Sequence, residues 1–416
     1  MCGITGFWKN EGASELELVE QVRQMSCALI HRGPDASGEW ADEAAGIAMG
    51  SRRLAIIDVS PAGHQPMVSA NGRYVLSYNG EVYNHVELCS ELKAAGVSFR
   101  GHSDTEVILE AINAWGLQAA VKRFVGMFAY ALWERQTRRL SLVRDRLGIK
   151  PMYYGWMGST LMYGSELKAL RTHPDFVPEV DRTSLTLFMR YSVVPAPYSI
   201  YTGIRQLEPG VIATFHSPHE REPHVEKFWS MEDVAREGQA NPFNGTEAEA
   251  IDELDALLRE AVSLRMISDV PLGGFLSGGI DSSTVIAMMQ TMSSRPVKTF
   301  SIGFEEQKYD ESDYARKVAE HLGTDHTQMI VTSDKVLKVL PRLPEIFDEP
   351  FSDWSQVPTY LLSRLARHDV TVSLSGDGGD ELFAGYTHYM DSSALYKMIH
   401  PVPPALRRLA GRGLEA

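Results

Sequence analysis

The chain opens Met-Cys-Gly-Ile-Thr-Gly-Phe-Trp, with a thiol directly behind the initiator. A small buried hydrophobe in a terminal strand would suit position 2. If Met1 is removed, Cys2 instead carries its own α-amino group. With a pKa of about 7.7–8.0, that amine can relay protons beside a nucleophilic thiol. A second chemical stretch reads Ser277-Gly278-Gly279-Ile280-Asp281-Ser282-Ser283. There a strand ends, two glycines let the backbone approach a ligand, and serines open a helix. Backbone N–H groups and the helix dipole at such a place favour an anion such as pyrophosphate. Asp281 would repel phosphate unless a cation bridged the two, and Mg2+ accepts one or two carboxylates plus phosphate oxygens. The alternative is a tight turn in which the glycines serve geometry alone. Ser375-Gly376-Asp377-Gly378-Gly379-Asp380-Glu381 repeats the arrangement, and Asp380 supplies a second carboxylate for the metal. Neither stretch matches GxxxxGK[ST] or GxGxxG, which disfavours a kinase, a GTPase or an NAD enzyme.

These residues need elements to hold them. In the first half, β-rich runs appear at AIIDV, RYVLSYNG, MFAYALW, RLSLVRD, PMYYGW and LMYGSE, the later ones separated by short turns. Two helices are set between them: VELCSELKAAG by its apolar spacing, and DTEVILEAINAWG behind a Ser103-x-x-Glu106 capping box. Antiparallel strands with helices on their faces predict an α+β layered domain over residues 1–210. His216 to Gly245 is polar and without periodicity, so 211–245 reads as a linker with some local structure. From 246 onward a Thr246-x-x-Glu249 box starts a long amphipathic helix, with Ile251, Leu254, Leu257, Leu258, Ala261 and Val262 on one side. Strands then alternate with helices through VPLGGFL, VKTFSIGF, TQMIV and VTVSL. That order predicts a parallel α/β sheet with ligands at the carboxyl ends of its strands.

Composition sets bounds on this reading. The 416 residues favour two domains. A net charge of −14 argues against a nucleic-acid partner. No apolar run approaches the ~20 residues of a membrane span, and the N-terminus lacks the apolar stretch of a secretory signal. Three scattered cysteines, Cys2, Cys27 and Cys89, make neither a disulfide framework nor a zinc site and suit the cytoplasm.

MCGITGF, HRGPD, RRLAIID, YNGEVYN and HSDTE together resemble the class II, N-terminal-nucleophile glutamine amidotransferases, and SGGIDSS resembles the pyrophosphate loop of the N-type ATP pyrophosphatases. In this order, followed by LSGDGGDELFAGY, they resemble the glutamine-hydrolysing asparagine synthetases over nearly all of residues 1–390. The resemblance implies an αββα N-terminal-nucleophile domain followed by a parallel-sheet ATP pyrophosphatase domain. It implies that Cys2 attacks the glutamine amide, giving a glutamyl thioester and ammonia. The oxyanion would be held by Asn79 and the Gly80 N–H, although Asn-Gly also suits a hairpin turn. Arg53, chosen over Arg52 by motif alignment alone, would hold the glutamine carboxylate. Asp104, with Glu81 nearby, would hold the ammonium, and Asp104 also suits the first turn of a helix. In the second domain, aspartate would attack ATP to form β-aspartyl-AMP, and channelled ammonia would displace AMP. Ser277, Gly278, Gly279, Ser282 and Ser283 would hold pyrophosphate. Phe275 and Ile302, at strand ends, would line the nucleotide with Ser375 and Gly376, and Asp281 and Asp380 would bind Mg2+. A homodimer is also a family expectation.

Two departures accompany the resemblance. Asp377 stands where some members carry glutamate, an acid implicated in handling the acyl intermediate, and it is one methylene shorter. Members usually continue well past GYTHYM, so the chain reads as C-terminally truncated and its 246–416 domain as incomplete. Two other readings stay open: amidation of a different carboxylate in antibiotic or surface-polysaccharide biosynthesis, or a catalytically silent glutamine- or nucleotide-binding protein.

Overall fold

The computed structural model describes residues 2–9, 12–306 and 310–408. Met1, whose removal the nucleophile reading requires, and residues 409–416 lie outside the described residues. The chain forms two compact units, one of residues 1–271 with 332–361 and the other of 272–331 with 362–416.

The first unit holds two antiparallel six-stranded sheets. One contains β1 (Gly3–Trp8), β2 (Ala36–Asp42), β3 (Ile47–Arg53), β8 (Tyr153–Met157), β9 (Thr160–Gly164) and β10 (Ile204–Gln206), in the order β10-β8-β9-β1-β3-β2. The other contains β4 (Met67–Val68), β5 (Tyr74–Val82), β6 (Gly126–Glu134), β7 (Arg139–Arg144), β11 (Val211–Phe215) and β12 (His224–Lys227), in the order β12-β11-β7-β6-β5-β4. Side chains alternate across a strand, and here both faces are apolar. Ala129, Ala131 and Trp133 of β6 meet Ile4, Trp8 and Met49 of the facing sheet. The alternate residues Phe128, Tyr130 and Leu132 meet α2 (His85–Ala94), α3 (Asp104–Trp115) and α4 (Leu117–Arg123). On the far side of the other sheet, Phe7, Ala48 and Met162 pack against α1 (Glu15–Cys27) and α5 (Leu167–Arg171). The result is the expected αββα sandwich. Helix α6 (Arg182–Tyr191) follows α5 in the chain.

Several local expectations need correction. AIIDV is loop, because Asp58, at φ +56°, turns the chain there and its carboxylate accepts from Ser60 N–H, Ser60 Oγ and His102 N–H. The early strands β1 to β3 and helix α1 carry no β-run or helix expectation from composition, and α1 starts at a complete Ser14/Glu17 capping box. The Ser103 box is half made: Ser103 accepts from Glu106 N–H, but the Glu106 carboxylate turns to Arg100 and Gly101. The linker expected at 211–245 begins with β11 and β12, which complete the edge of the second sheet, and continues into α7 (Met231–Ala240). Helix α8 (Glu247–Arg265) belongs to the first unit, as do residues 332–361. Of its apolar face only Val262 is buried, while Ile251 and Leu257 stay more than half exposed.

The second unit has four parallel strands, β13 (Leu272–Phe275), β14 (Lys298–Phe304), β15 (Asp325–Val331) and β16 (Val372–Leu374), in the order β15-β14-β13-β16. Helix α9 (Ile280–Met292) follows β13, and α10 (Ser312–Leu322) follows β14. Successive strands depart on opposite sides of β13, so the crevice of this α/β sheet opens beyond its carboxyl end, between the loops after β13 and β16. Among the described residues no helix is long and apolar enough to cross a membrane.

Candidate functional site

The register of β1 against β3 sets Gly3 opposite Arg52, which brings Cys2 level with Arg53. Cys2 is partly buried. Its Sγ donates to the Leu54 carbonyl at 3.7 Å, and its carbonyl accepts from Arg32 Nε at 2.8 Å. Burial pushes the thiol up, and Arg53 pulls the other way. Neighbouring residues of a strand point to opposite faces, which separates the two arginines. Arg52 donates to the Ser26 carbonyl and to Cys27. Arg53 is buried, and its Nη2 donates to the carbonyls of Ile57 at 3.0 Å and Asp58 at 2.6 Å.

Asn79 and Gly80 lie inside β5, paired with Ala129 and Phe128, so the hairpin-turn reading of Asn-Gly does not hold. Asn79 is fully buried, yet neither its Oδ1 nor its Nδ2 has a protein partner. Buried polar groups are normally paired, so an amide left open at a pocket wall is poised for a ligand. Gly80 has φ +156°, and a Cβ there would stand 2.2 Å from the Met127 carbonyl oxygen, so only glycine fits.

Glu81 is buried, and burial with the Asp104 charge pushes it up to about 7 against the pull of Lys150 and Arg265. Asp104 opens α3 and accepts from Tyr78 Oη at 2.6 Å and Val82 N–H at 3.0 Å. Burial raises it while these two bonds oppose. Asp104 is thus a first-turn acid of α3 that also lines the pocket.

Cys2, Arg53, Asn79, Gly80, Glu81 and Asp104 line one pocket. Sequence reasoning missed four further polar members, Gln65, Tyr78, Thr105 and Lys150. Gln65 accepts from Tyr78 N–H at 2.8 Å and donates to Thr105 at 3.1 Å, tying β5 to α3. Lys150 sits in an irregular loop, where no periodicity could have marked it.

In the second unit the two glycine-rich loops touch. A Cβ on Gly379 would lie 2.5 Å from the Asp281 carboxylate, and one on Gly376 would lie 2.7 Å from Ser282 N. Ser277 N–H donates to Ser282 Oγ at 3.2 Å, the two hydroxyls are 2.9 Å apart, and Gly279 caps α9. Gly278 has φ +86° and rests on the backbone of Tyr314 and Ala315. Ser283 Oγ is buried without a protein partner. Ser375 Oγ donates to the Asp377 carboxylate at 2.9 Å. Phe275 ends β13 as expected. Ile302 stands two residues past Phe300, the last β14 partner of β13, but β14 continues to Phe304 along β15, so Ile302 is not a strand end.

Among the described residues no group of three or more His, Cys, Asp and Glu side chains is arranged to hold a metal. Asp281 and Asp380 offer two hard carboxylates from abutting loops. That donor set fits Mg2+ shared with phosphate oxygens rather than held in a protein cage.

A family model described as "Glutamine amidotransferase domain" matches residues 1–229, and one described as "Asparagine synthase" matches residues 253–415. Asparagine synthetase [glutamine-hydrolyzing] 1 of Bacillus subtilis is 34% identical over 98% of this chain and 62% of its own length. Putative asparagine synthetase [glutamine-hydrolyzing] 2 of Methanocaldococcus jannaschii is 35% identical over 98% of this chain and 79% of its own. A putative asparagine synthetase of Mycobacterium tuberculosis is 35% identical over 99% and 64%. The chain thus spans about three fifths of the length of the first and third of these relatives.

Proposed function

The chain belongs to the family of glutamine-hydrolysing asparagine synthetases, and on that premise we propose that it moves the amide nitrogen of glutamine onto aspartate at the expense of ATP. The observation that carries this reading is the gathering of Cys2, Arg53, Asn79, Gly80, Glu81 and Asp104 around one pocket.

In that pocket the fork of Arg53 takes the substrate carboxylate, and Asp104 with Glu81 takes the ammonium. Cys2 Sγ then faces the side-chain amide. Its attack on the amide carbon forms the C–S bond and moves the carbonyl electrons onto oxygen, where Asn79 Nδ2 and the Gly80 N–H receive the charge. The Cys2 α-amino group takes the thiol proton and delivers it to the amide nitrogen, collapse expels ammonia, and water cleaves the thioester to glutamate.

In the second unit Ser277, Gly278, Gly279, Ser282 and Ser283 hold the pyrophosphate portion of ATP, with Phe275, Ile302, Ser375 and Gly376 along the nucleotide. Aspartate's carboxylate attacks the α-phosphorus and pyrophosphate leaves. Ammonia displaces AMP from the resulting β-aspartyl-AMP. Asp377 stands beside this acyl group. Asp281 and Asp380 would hold Mg2+, which when bound neutralises phosphate charge. We place the enzyme in the cytoplasm, acting on small molecules, and as a homodimer.

The test is pyrophosphate release by the purified protein with ATP, Mg2+, aspartate and glutamine, with glutamate and asparagine measured in the same tubes. Aspartate-dependent pyrophosphate matched by asparagine supports the proposal. Glutamate with pyrophosphate that needs a different carboxylate would redirect the acceptor. Absence of both products would favour the silent binding protein.

A further inference from the structure

His31 and Arg32 belong to the HRGPD stretch, to which the proposed reaction gives no part. Arg32 donates from Nε to the Cys2 carbonyl at 2.8 Å and from Nη1 to Glu166 Oε1 at 2.7 Å. A guanidinium is planar and rigid, so an acceptor at each of two donors fixes its position. Glu166 is held in turn. The residue before it, Ser165, is fully buried; its N–H donates to the Ile4 carbonyl at 2.9 Å and its Oγ accepts from Ile4 N–H at 3.1 Å, which ties it to β1. The second carboxylate oxygen of Glu166 lies 2.9 Å from His31 Nε2 and accepts from Lys168 Nζ at 2.8 Å. Lys168 then meets Asp348, which accepts from its backbone N–H at 2.8 Å and pairs with its ammonium at 3.3 Å.

Four alternating charges therefore run from Asp348 through Lys168 and Glu166 to Arg32, and end on the backbone of Cys2. None of the four side chains is more than 20% exposed. Solvent screens such charges weakly, and each holds its neighbour in place. Asp348 lies in residues 332–361, which fall between β15 and β16 in the chain yet pack with the first unit. At the other end, Cys2 precedes β1, which begins at Gly3. Once Met1 is removed, residue 2 keeps only the peptide bond on its carboxyl side, and the carbonyl that Arg32 grips belongs to that bond. Turning this carbonyl turns the α-amine and the Sγ with respect to the pocket.

We propose that Glu166 and Asp348 are positioning residues for Cys2. Acting through Arg32 and Lys168, they fix the carbonyl of the nucleophile's own peptide bond, and residues 332–361 thereby set how fast the thiol works. The inference rests on the reading of Cys2 as the nucleophile and adds no covalent step to it.

The test is steady-state glutamate formation by Glu166→Gln, Asp348→Asn and the double variant, each assayed well below its melting midpoint. Both substitutions remove charge and keep shape, and Asn at 348 retains an acceptor for the Lys168 N–H. Glu166→Gln lowers kcat about tenfold and Asp348→Asn about threefold. KM for glutamine stays unchanged, because Arg53 and Asp104 are untouched. The double variant is no slower than Glu166→Gln alone, since both changes break the same connection, whereas independent effects multiply. Unchanged kcat in either single variant, a rise in KM, or losses that multiply each overturn the proposal. If Glu166→Gln does not fold, Lys168→Met takes its place in the cycle, with the same outcomes required. Wild-type protein that forms no glutamate, or Cys2→Ala protein that still forms it, sinks the nucleophile reading. Glutamate formation that needs Cys2 but ignores Glu166 and Asp348 sinks only the positioning role.

Discussion

Asn79 leaves both polar atoms of its amide without a protein partner in a fully buried strand position. An unsatisfied buried group costs about 1–3 kcal/mol, so this one is a local weakness that a ligand relieves. Asn79→Ala is expected to lower kcat for glutamate formation by about 10²–10³-fold without lowering the melting temperature. Loss of stability with unchanged kcat would make Asn79 a packing residue. Glu81, pushed up to about 7 by burial and Asp104, gives the site a pH dependence of definite sign. Below pH 7 it becomes neutral, and on the proposed reading its share of the attraction for the substrate ammonium is lost. KM for glutamine should therefore rise as pH falls through 7, and Glu81→Gln should flatten that rise. At this scale the motifs marked six of the residues that line the pocket, but passed over Tyr78 and Thr105 beside them. Motif alignment preferred Arg53 to Arg52, and the fold puts Arg53 alone of the two in the pocket lining; Lys150 stayed hidden because a loop residue carries no periodic signal.

At the scale of elements, Glu166 stands just before α5, where Arg32, His31 and Lys168 converge on its carboxylate at 2.7–2.9 Å. Burial alone would raise Glu166, but His31, Arg32 and Lys168 outweigh it and hold it near 2. Its folded value lies below its unfolded one. The stability it contributes is therefore complete above about pH 4.5 and disappears as pH falls toward 2. Glu166→Gln should cost about 3 kcal/mol at pH 7 and progressively less below pH 4.5, read by urea unfolding at a series of pH values. In the second unit, Gly278 turns at φ +86° against α10. Gly278→Ala should suppress ATP-dependent pyrophosphate release while glutamate formation continues, and equal loss of both would point to global unfolding instead. The succession of strand and helix after β13 and the capping box at Thr246 were legible in advance. AIIDV misled because its composition favours a strand, whereas the tertiary bonds of Asp58 turn the chain out of the sheet.

For the whole molecule, the runs of strand and helix predicted an α+β layered domain followed by a parallel α/β one, and the family resemblance implied the αββα form of the first. The path of the chain between them was not legible, because local patterns do not report which unit a segment docks on. Residues 332–361 leave the parallel sheet and pack with the first unit. There the Asp348 carboxylate accepts from Lys168 N–H at 2.8 Å, and Glu349 accepts from Ile200 N–H at 2.6 Å and Tyr153 Oη at 2.9 Å. The chain therefore passes between the units three times, and no single cut liberates either one whole. A fragment of residues 1–271 should retain its sandwich but expose Tyr153 and Lys168, melting lower than the same unit within the full chain. Adding a peptide of residues 332–361 should restore part of the difference. Gene fusion or fission at this junction is correspondingly awkward: the two halves cannot be exchanged as beads on a string, and a recombinant that swaps one of them must carry the returning segment with it.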